Sequence, residues 1–434
     1  MQEYQQMQID NMLERIRLED EKRAVELRAA GWQWIKTAER SVTFTFGVVT
    51  FERKVWRKGK EWCYPVDEYL GLTPNIRYSQ EMIYQISELS TDLSCRKGSK
   101  TIENLKNVFV NKNVVCRVKK YIRKLHKEKK ELSYYKDDDL IKKVKVKKLY
   151  LEGDGVMIKT INGEEVVNTD LAHYLIHEGV EKEYGKKRNK AVAKYETISR
   201  SHEEARDEAI DYIHNHYDLT PDTLLITNSD MGRGYSAESF EEIAAMFKCR
   251  HEHFWDAYHL NIKIKEAFKK IQDKDTSYCK KNRLFTAIQN HDLSDTELIL
   301  ETAEGCIFND DDLEIFSKFA NKLIRNFKYT KPAELRGLSR EGIGIMEAQH
   351  VKITDRMKHR GMYWSLDGAE TMAKMIIEKS AGTLRDLFFG DWRQEYAKMK
   401  ALPTSAAAYL KKSHIASTVN KGTIRSKTVS KHFS

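Results

Sequence analysis

Two short apolar runs, each ending at an aspartate, constrain this chain more than any other feature. Val146-Lys147-Lys148-Leu149-Tyr150-Leu151 reads as a strand and runs into Glu152-Gly153-Asp154-Gly155. Leu224-Leu225-Ile226-Thr227 does the same and runs into Asn228-Ser229-Asp230. Apolar runs of this length bounded by turn residues read as buried strands. A carboxylate at a strand's carboxyl end faces the crevice where open α/β sheets bind ligands. Around these runs the pattern predicts a second strand over 155–161, further strands over 171–178 and 191–199, and a helix over 202–217. A helix over 236–247 and a strand over 248–255 follow, and after His259 the periodicity is helical for about a hundred residues.

Strand, strand, strand, helix, strand, helix, strand, helix is the order of an RNase-H-like α/β domain, expected over residues 140–400. The run from 265 to 335 exceeds what closes such a core. Its apolar residues (Leu284, Ile288; Leu298, Ile299; Ile315, Phe316, Phe319; Leu323, Ile324, Phe327) recur at helical spacing. It is therefore expected to be an all-helical insertion that leaves the sheet after His259 and returns before Glu347.

The chain ahead of this domain divides into three. Residues 1–35 contain a charged helix with Met12, Leu13, Ile16, Leu18, Val25 and Leu27 apolar. Residues 36–77 form a small β-rich module, with a hairpin expected over 41–56 around Gly47. Residues 78–132 read as consecutive helices with apolar faces Ile83, Ile86, Leu89 and Ile102, Leu105, Val108. The last of them is capped by Asn111 and carries Val114, Val115, Val118 and Ile122. Lys112, Arg117, Lys119, Lys120, Arg123 and Lys124 decorate its other faces. Helix, turn, basic helix is the pattern of a helix-turn-helix domain, with a bland helical bundle as the alternative. Residues 401–434 are expected to be a flexible basic tail.

Charge points the same way. Residues 111–150 hold 15 Lys/Arg against 5 Asp/Glu, an excess equal to the net charge of +10 of all 434 residues. One basic run is usually a solvated face. Two such runs, the second being 411–434, together with the helical pattern imply a polyanionic partner. No apolar run is long enough to span a membrane and no secretory pattern opens the chain. The cysteines form no CxxC pair, so a reducing cytoplasm is expected.

Asp154 and Asp230 are the primary candidates for chemistry. Strand-end aspartates are common turn residues, and either alone would be read so. Two on neighbouring strands repel when ionised and call for a cation between them. Gly153 and Gly155 are expected to let a bulky substrate come close. Phe254-Trp255-Asp256-Ala257-Tyr258-His259-Leu260 adds an Asp-x-x-His after the next strand.

At this point the chain resembles bacterial insertion-sequence transposases of the Mutator-like superfamily, and most of all their ISLre-type group. The likeness is carried by Asp-x-x-His, by Phe46-Gly47-Val48-Val49-Thr50-Phe51-Glu52-Arg53 and by Pro65 through Leu72. It spans roughly residues 40–390. The resemblance implies a third carboxylate on a helix after the insertion. Glu347, in Ile343-Gly344-Ile345-Met346-Glu347-Ala348-Gln349-His350, fits that position, followed by Arg356, Lys358 and Gly361. Glu341 is its rival. Lys358, eleven residues on, would share a continuous helix face with Glu347 and neutralise phosphate.

Asp154, Asp230 and Glu347 would then hold Mg²⁺ or Mn²⁺ and serve as the catalytic set. His259, steered by Asp256, would stand beside the metal ligands or pack its helix onto the sheet. Packing is favoured because Mg²⁺ prefers oxygen. Trp364 is expected in the core, and Glu178 is not promoted. The implied activity is DNA transposition: binding of terminal inverted repeats, then metal-dependent cleavage and strand transfer into target DNA. A homodimer or higher oligomer on DNA and a cytoplasmic, nucleoid-associated location follow. The alternatives are a structure-specific nuclease that never joins strands and a non-catalytic DNA-binding protein derived from a transposase.

Overall fold

A computed structural model describes residues 2–133, 142–182, 185, 189–271 and 280–401. They divide into two compact units: residues up to 133 together with 371–401, and residues between 142 and 370. The whole is a mixed α/β protein.

The first unit opens with helix α1 (Gln2–Ala29), whose buried stripe is Ile16, Asp20, Ala24 and Leu27. These recur every three or four residues, which is one helix face. Leu18 and Val25, expected on that face, are exposed instead. The stripe lies on a three-stranded antiparallel sheet of β1 (Gln33–Phe44), β2 (Gly47–Lys58) and β3 (Glu61–Cys63). The expected hairpin is present, but its turn is Thr45-Phe46 and Gly47 is the first residue of β2. A Cβ on Gly47 would come 3.0 Å from Ile9, so glycine there lets α1 approach.

Helix α2 (Pro65–Tyr69) is fastened by buried Asp67, which accepts a hydrogen bond from Arg40 at 2.5 Å and pairs with Arg53. Arg53 closes the motif over 46–53 and Asp67 lies within the motif over 65–72. Those motifs are therefore folding determinants of this small module.

Three helices follow: α3 (Gln80–Asp92), α4 (Cys95–Lys106) and α5 (Lys112–Ser133). Ser79 and Ser94 cap the first two, and the Asn111 side chain accepts from Asn113 N at 2.9 Å at the start of α5. Met82, Ile83, Ile86, Ile102, Val115, Val118, Ile122 and Leu125 bury together. Leu105 is exposed, because the face that α4 buries is that of Gly98 and Ile102.

The second unit is built on strands β4 (Lys148–Asn162), β5 (Glu165–His177), β8 (Tyr195–Ser199), β9 (Leu224–Ser229) and β10 (Arg250–Trp255). Their order is β10-β9-β4-β5-β8, parallel among β10, β9 and β4 and antiparallel from β4 through β8. A small ribbon of β6 (Gly179–Lys182) and β7 (Asn189–Val192) lies between β5 and β8 in sequence. The two strands expected over 146–151 and 155–161 are one continuous β4. Gly153 and Gly155 do not break it, and the turn is Gly163-Glu164, with Gly163 at φ 68°.

Helices α6 (His202–His216) and α7 (Ala237–Phe247) contribute to an apolar core with Leu149, Leu151, Tyr174, Ile176 and Leu225. Helix α8 (Ala257–Ala267) packs with α9 (Lys281–Gln289), α10 (Leu293–Glu304) and α11 (Asp310–Arg325) around Trp255, Leu260, Ile264, Leu284, Ile299, Phe316 and Leu323. Among the described residues the segment expected to be helical is largely so, ending in short 3₁₀ turns at Phe327–Thr330 and Glu334–Arg336, while 272–279 lie outside the described residues. Helix α12 (Met346–Met357) lies on β4, and β11 (Trp364–Ser365) pairs in parallel with β4 at Thr160.

Helix α13 (Leu366–Ala381) starts in the second unit, and from Thr371 onward the chain belongs to the first. There α14 (Leu384–Phe389) and α15 (Trp392–Ala401) complete the core of α3–α5 with Leu387, Phe388 and Trp392. A domain running from 140 to 400 is therefore divided near 370. The expected tail, from 402 on, and part of the linker, 134–141, lie outside the described residues.

Candidate metal centre

Strand β4 outruns its parallel neighbour. Gly153 pairs with Ser229, the last residue of β9, so Asp154 is the first residue of β4 beyond that pairing. Asp230 is the first residue after β9, and Asp256 the first after β10, whose Trp255 also pairs with Ser229. Asp230 and Asp256 thus follow two adjacent strands, and Asp154 stands level with them on the third, where β4 passes the end of β9. The glycines beside Asp154 have a different role from the one expected. A Cβ on Gly153 would meet Tyr235 at 2.7 Å, and one on Gly155 would meet the Asp170 carboxylate at 2.3 Å. They make room for the chain's own side chains, not for a substrate.

Asp256 caps α8 by accepting from His259 N at 2.9 Å. The cap sets His259 over the sheet edge, where its Nε2 lies 3.1 Å from Asp154 Oδ2. His259 therefore touches the first candidate ligand directly, a role sequence reasoning ranked second. The other Asp154 oxygen accepts from Gly155 N at 2.8 Å. Burial pushes the Asp154 carboxyl up, but the His259 hydrogen bond and the nearby imidazoles outweigh it and hold the group below the usual range. The same bond lifts the His259 imidazole, against burial.

Helix α12 delivers the second carboxylate. Glu347 stands in its first turn and His350 one turn later on the same face. His350 Nδ1 lies 3.8 Å from Asp154 Oδ2 and 3.6 Å from Glu347 Oε2. One donor atom each of Asp154, Glu347 and His350 falls within 4.8 Å of the others, which makes the trio a candidate metal site. Glu341 lies exposed in the preceding turn and takes no part.

What holds α12 in place is a residue that no sequence pattern singles out. Glu152, 1% exposed and two residues before Asp154 on the same face of β4, accepts three backbone N–H groups. Gly344 N donates at 2.7 Å, Ile345 N at 3.3 Å and Met346 N at 2.8 Å. These are the unpaired donors of a helix start, where a carboxylate is favoured. Gly344 adopts φ 75°, which suits glycine, and a Cβ there would come 3.2 Å from Asp256. Further along α12, Lys352 reaches Glu196 on β8 at 2.5 Å, and Lys194 joins at 2.8 Å. Glu196 also bonds His173 at 3.1 Å, and the His173 ring stacks on His350 at 5.2 Å. Burial pushes Lys352 down to about 8 and His350 down to about 3, the latter helped by His173. The His350 imidazole is thus neutral, the form that binds metals.

Asp230 stands apart from this trio. Its Oδ1 accepts from Gly232 N at 2.6 Å and its Oδ2 lies 3.5 Å from Lys263 Nζ. Lys263 also donates to Asp230 O at 3.0 Å, and Lys322 of α11 donates to Met231 O at 2.7 Å. Asp154 and Glu347 are brought together, and Asp230 flanks them beside two ammonium groups.

The basic residues expected to meet DNA divide. Lys112, Arg117, Lys120 and Lys124 of α5 are exposed, while Lys119 and Arg123 are half-buried, Arg123 reaching Thr371 at 3.4 Å. Arg356 is buried at 4% exposure and stacks on Trp364 at 5.2 Å, so it packs the core and cannot meet phosphate. Lys358 is exposed, but α12 ends at Met357, so it does not continue the face of Glu347. Trp364 is in the core, its Nε1 donating to Met357 O. Glu178 accepts from Tyr217 at 3.2 Å. Glu152, His350, His173, Glu196 and Lys352 were missed. Only Glu347-x-x-His350, with its one-turn spacing, carried a readable signal.

The second unit is thus a mixed α/β domain with a carboxylate and imidazole cluster at the edge of its sheet. The chain belongs to UPF0236, described as an uncharacterised protein family, whose family model matches residues 1–394. It is 31% identical over 360 residues to "UPF0236 protein in vanSb 3'region" of Streptococcus gallolyticus, covering 81% of this chain and 75% of that protein. Among solved structures it is similar to the Drosophila P element transposase strand transfer complex, at 10% identity and a TM-score of 0.22. That match covers 80% of this chain and 92% of the other. A likeness of that degree does not bear on function. The family shown is UPF0236. Among the described residues no helix is long and apolar enough to cross a membrane.

Proposed function

We propose that this chain is a metal-dependent DNA transposase of the ISLre type, working with an RNase-H-like catalytic domain. One observation carries the reading. Asp154 and Glu347, 193 residues apart in sequence, share a cluster on a sheet whose five main strands, numbered in chain order within the second unit, run 5-4-1-2-3. A sheet of that order with carboxylates at its edge is what the RNase-H-like reading requires, and the family-like motifs supply the rest.

Asp154 and Glu347 would hold a divalent ion, Mg²⁺ or Mn²⁺, with Asp230 available to a second. An ion so placed supplies Lewis-acid activation of a phosphodiester and of its attacking oxygen. The chain's own groups do the remaining work. His259 fixes the orientation of the Asp154 carboxylate through its Nε2. Glu152 fixes the start of α12 and hence Glu347. Lys263 and Lys322 offset the charge of Asp230 and set positive charge where a phosphate would lie. Helices α9–α11, the insertion, carry Lys322 to that edge. Helices α3–α5 are read as the helix-turn-helix-like DNA-binding domain, with exposed Arg117, Lys120 and Lys124 meeting phosphates.

The test is incubation of the full chain with the DNA ends that flank its gene, with and without divalent metal. Metal-dependent nicks followed by joining to a second duplex support transposition. Nicking without joining would instead mark a nuclease. No metal-dependent product of either kind would refute the enzymatic reading.

A further inference from the structure

The ligand set of this centre differs from an all-oxygen one in having an imidazole. We propose that His350 binds the metal ion directly through Nδ1, together with Asp154 and Glu347, and that this nitrogen tilts the centre toward Mn²⁺ over Mg²⁺. The inference rests on the reading above that Asp154 and Glu347 hold a divalent ion.

Three observations lead to it. The first is distance. An ion about 2.1 Å from each ligand allows ligand atoms to lie up to about 4.2 Å apart. The Nδ1 separations of 3.8 Å from Asp154 and 3.6 Å from Glu347 fall inside that limit. They are also too long for hydrogen bonds, so Nδ1 faces both carboxylates without bonding either. The second is burial. His350 is 5% exposed and aimed into the cluster from α12, so it is held there by packing. The third is orientation. The His350 ring stacks on His173, which Glu196 fixes, and Lys352, two residues further along the same helix, is tied to that same Glu196. A freely rotating surface histidine has no such support.

The choice of metal follows from donor chemistry. Mg²⁺ dehydrates reluctantly and takes oxygen ligands. Imidazole nitrogen suits first-row transition metals. Mn²⁺ accepts both donor types, so a centre of two carboxylates and one imidazole discriminates in its favour. His259 is the nearest competitor for the role. Its Nε2, however, is engaged with Asp154 Oδ2 at 3.1 Å, as an orienting donor would be.

The experiment uses the full chain with added Mn²⁺, read by electron spin echo envelope modulation, which detects nitrogen bonded to the ion. Calorimetry gives Mn²⁺ and Mg²⁺ affinities alongside. Wild type should show a directly bound nitrogen that persists in His259→Gln and disappears in His350→Asn. The Mn²⁺ to Mg²⁺ affinity ratio should fall roughly tenfold or more in His350→Asn, since even outer-shell partners of a ligand are worth about that. Should His350→Asn not fold, His259→Gln decides by elimination: a nitrogen signal that survives it supports His350, and one lost with it overturns the proposal. Mn²⁺ bound in an Asp154-dependent way with no nitrogen signal would refute His350 as a ligand while leaving the centre intact. Mn²⁺ bound equally by wild type and Asp154→Asn would refute the centre itself.

Discussion

Glu152 holds Met346, the first residue of α12, by a 2.8 Å hydrogen bond from the backbone amide to a fully buried carboxylate. Through it, β4 sets both sides of the candidate centre, with Asp154 on its own strand and Glu347 on the helix it anchors. Replacing Glu152 by Gln turns one acceptor into a donor facing an N–H group. The expected cost is about 1–3 kcal/mol of stability, the penalty of a buried unsatisfied group. Metal affinity should fall with it. Chemical denaturation and calorimetry check this, with exposed Glu341→Gln as the silent control.

DNA binding should follow exposure. The triple change Arg117→Ala, Lys120→Ala and Lys124→Ala should weaken end binding and lower the salt slope by about one unit for each phosphate no longer neutralised. Arg356→Ala should leave that slope unchanged and reduce stability instead, because Arg356 is packed on Trp364. Binding isotherms at several salt concentrations separate the two. An unaltered slope in the triple variant would remove α5 from the interface.

The return of the chain to its first unit should also be measurable. Phe388 is fully buried among Ile83, Ile122 and Leu125, although the whole second unit separates it from α5 in sequence. Phe388→Ala should cost about 3–5 kcal/mol, as for other large core truncations. A cost under about 1 kcal/mol in denaturant unfolding would mean that α14 does not complete that core.

Stability should fall in mild acid. His253 is 3% exposed, bonds Thr227 at 2.8 Å, and is pushed down to about 3 by burial and by neighbouring His251. Its folded value is depressed below the unfolded value of about 6.5. The contribution of its neutral form is therefore present above that value and lost progressively as pH falls toward 3. Thermal melts from neutral pH down into mild acid should show a steeper loss in wild type than in His253→Gln. Equal slopes would contradict the assignment.

Much of the architecture was readable because period and punctuation agreed. The strand ending at Ser229, the helices after Ser201 and Ser236, and the Asn111 cap all carry local signals that tertiary packing reinforced. Strand β4 was misread because glycine usually interrupts a strand. Gly153 and Gly155 are there because Tyr235 and Asp170 occupy the space a Cβ would need, which no local pattern reveals. The true turn is Gly163-Glu164, opened by a glycine in the left-handed region just after the paired Asn162. Asp154 and Glu347 were found from strand ends and motif order. His350 and Glu152 were not, since their roles exist only once α12 lies against β4. Arg356 was singled out by the family-like basic stretch after Glu347, but its neighbour Trp364 draws it into the core.

The most direct test of the central claim is strand cleavage and joining by wild type, Asp154→Asn and Glu347→Gln on the element's own ends with Mn²⁺. Two carboxylates that hold the reactive centre should each be indispensable to chemistry and dispensable for binding DNA through the other unit. The account predicts joined product from wild type only, with end binding by both variants within about twofold of wild type, well under about 1 kcal/mol. Wild-type rates of cleavage and joining in either variant would contradict it.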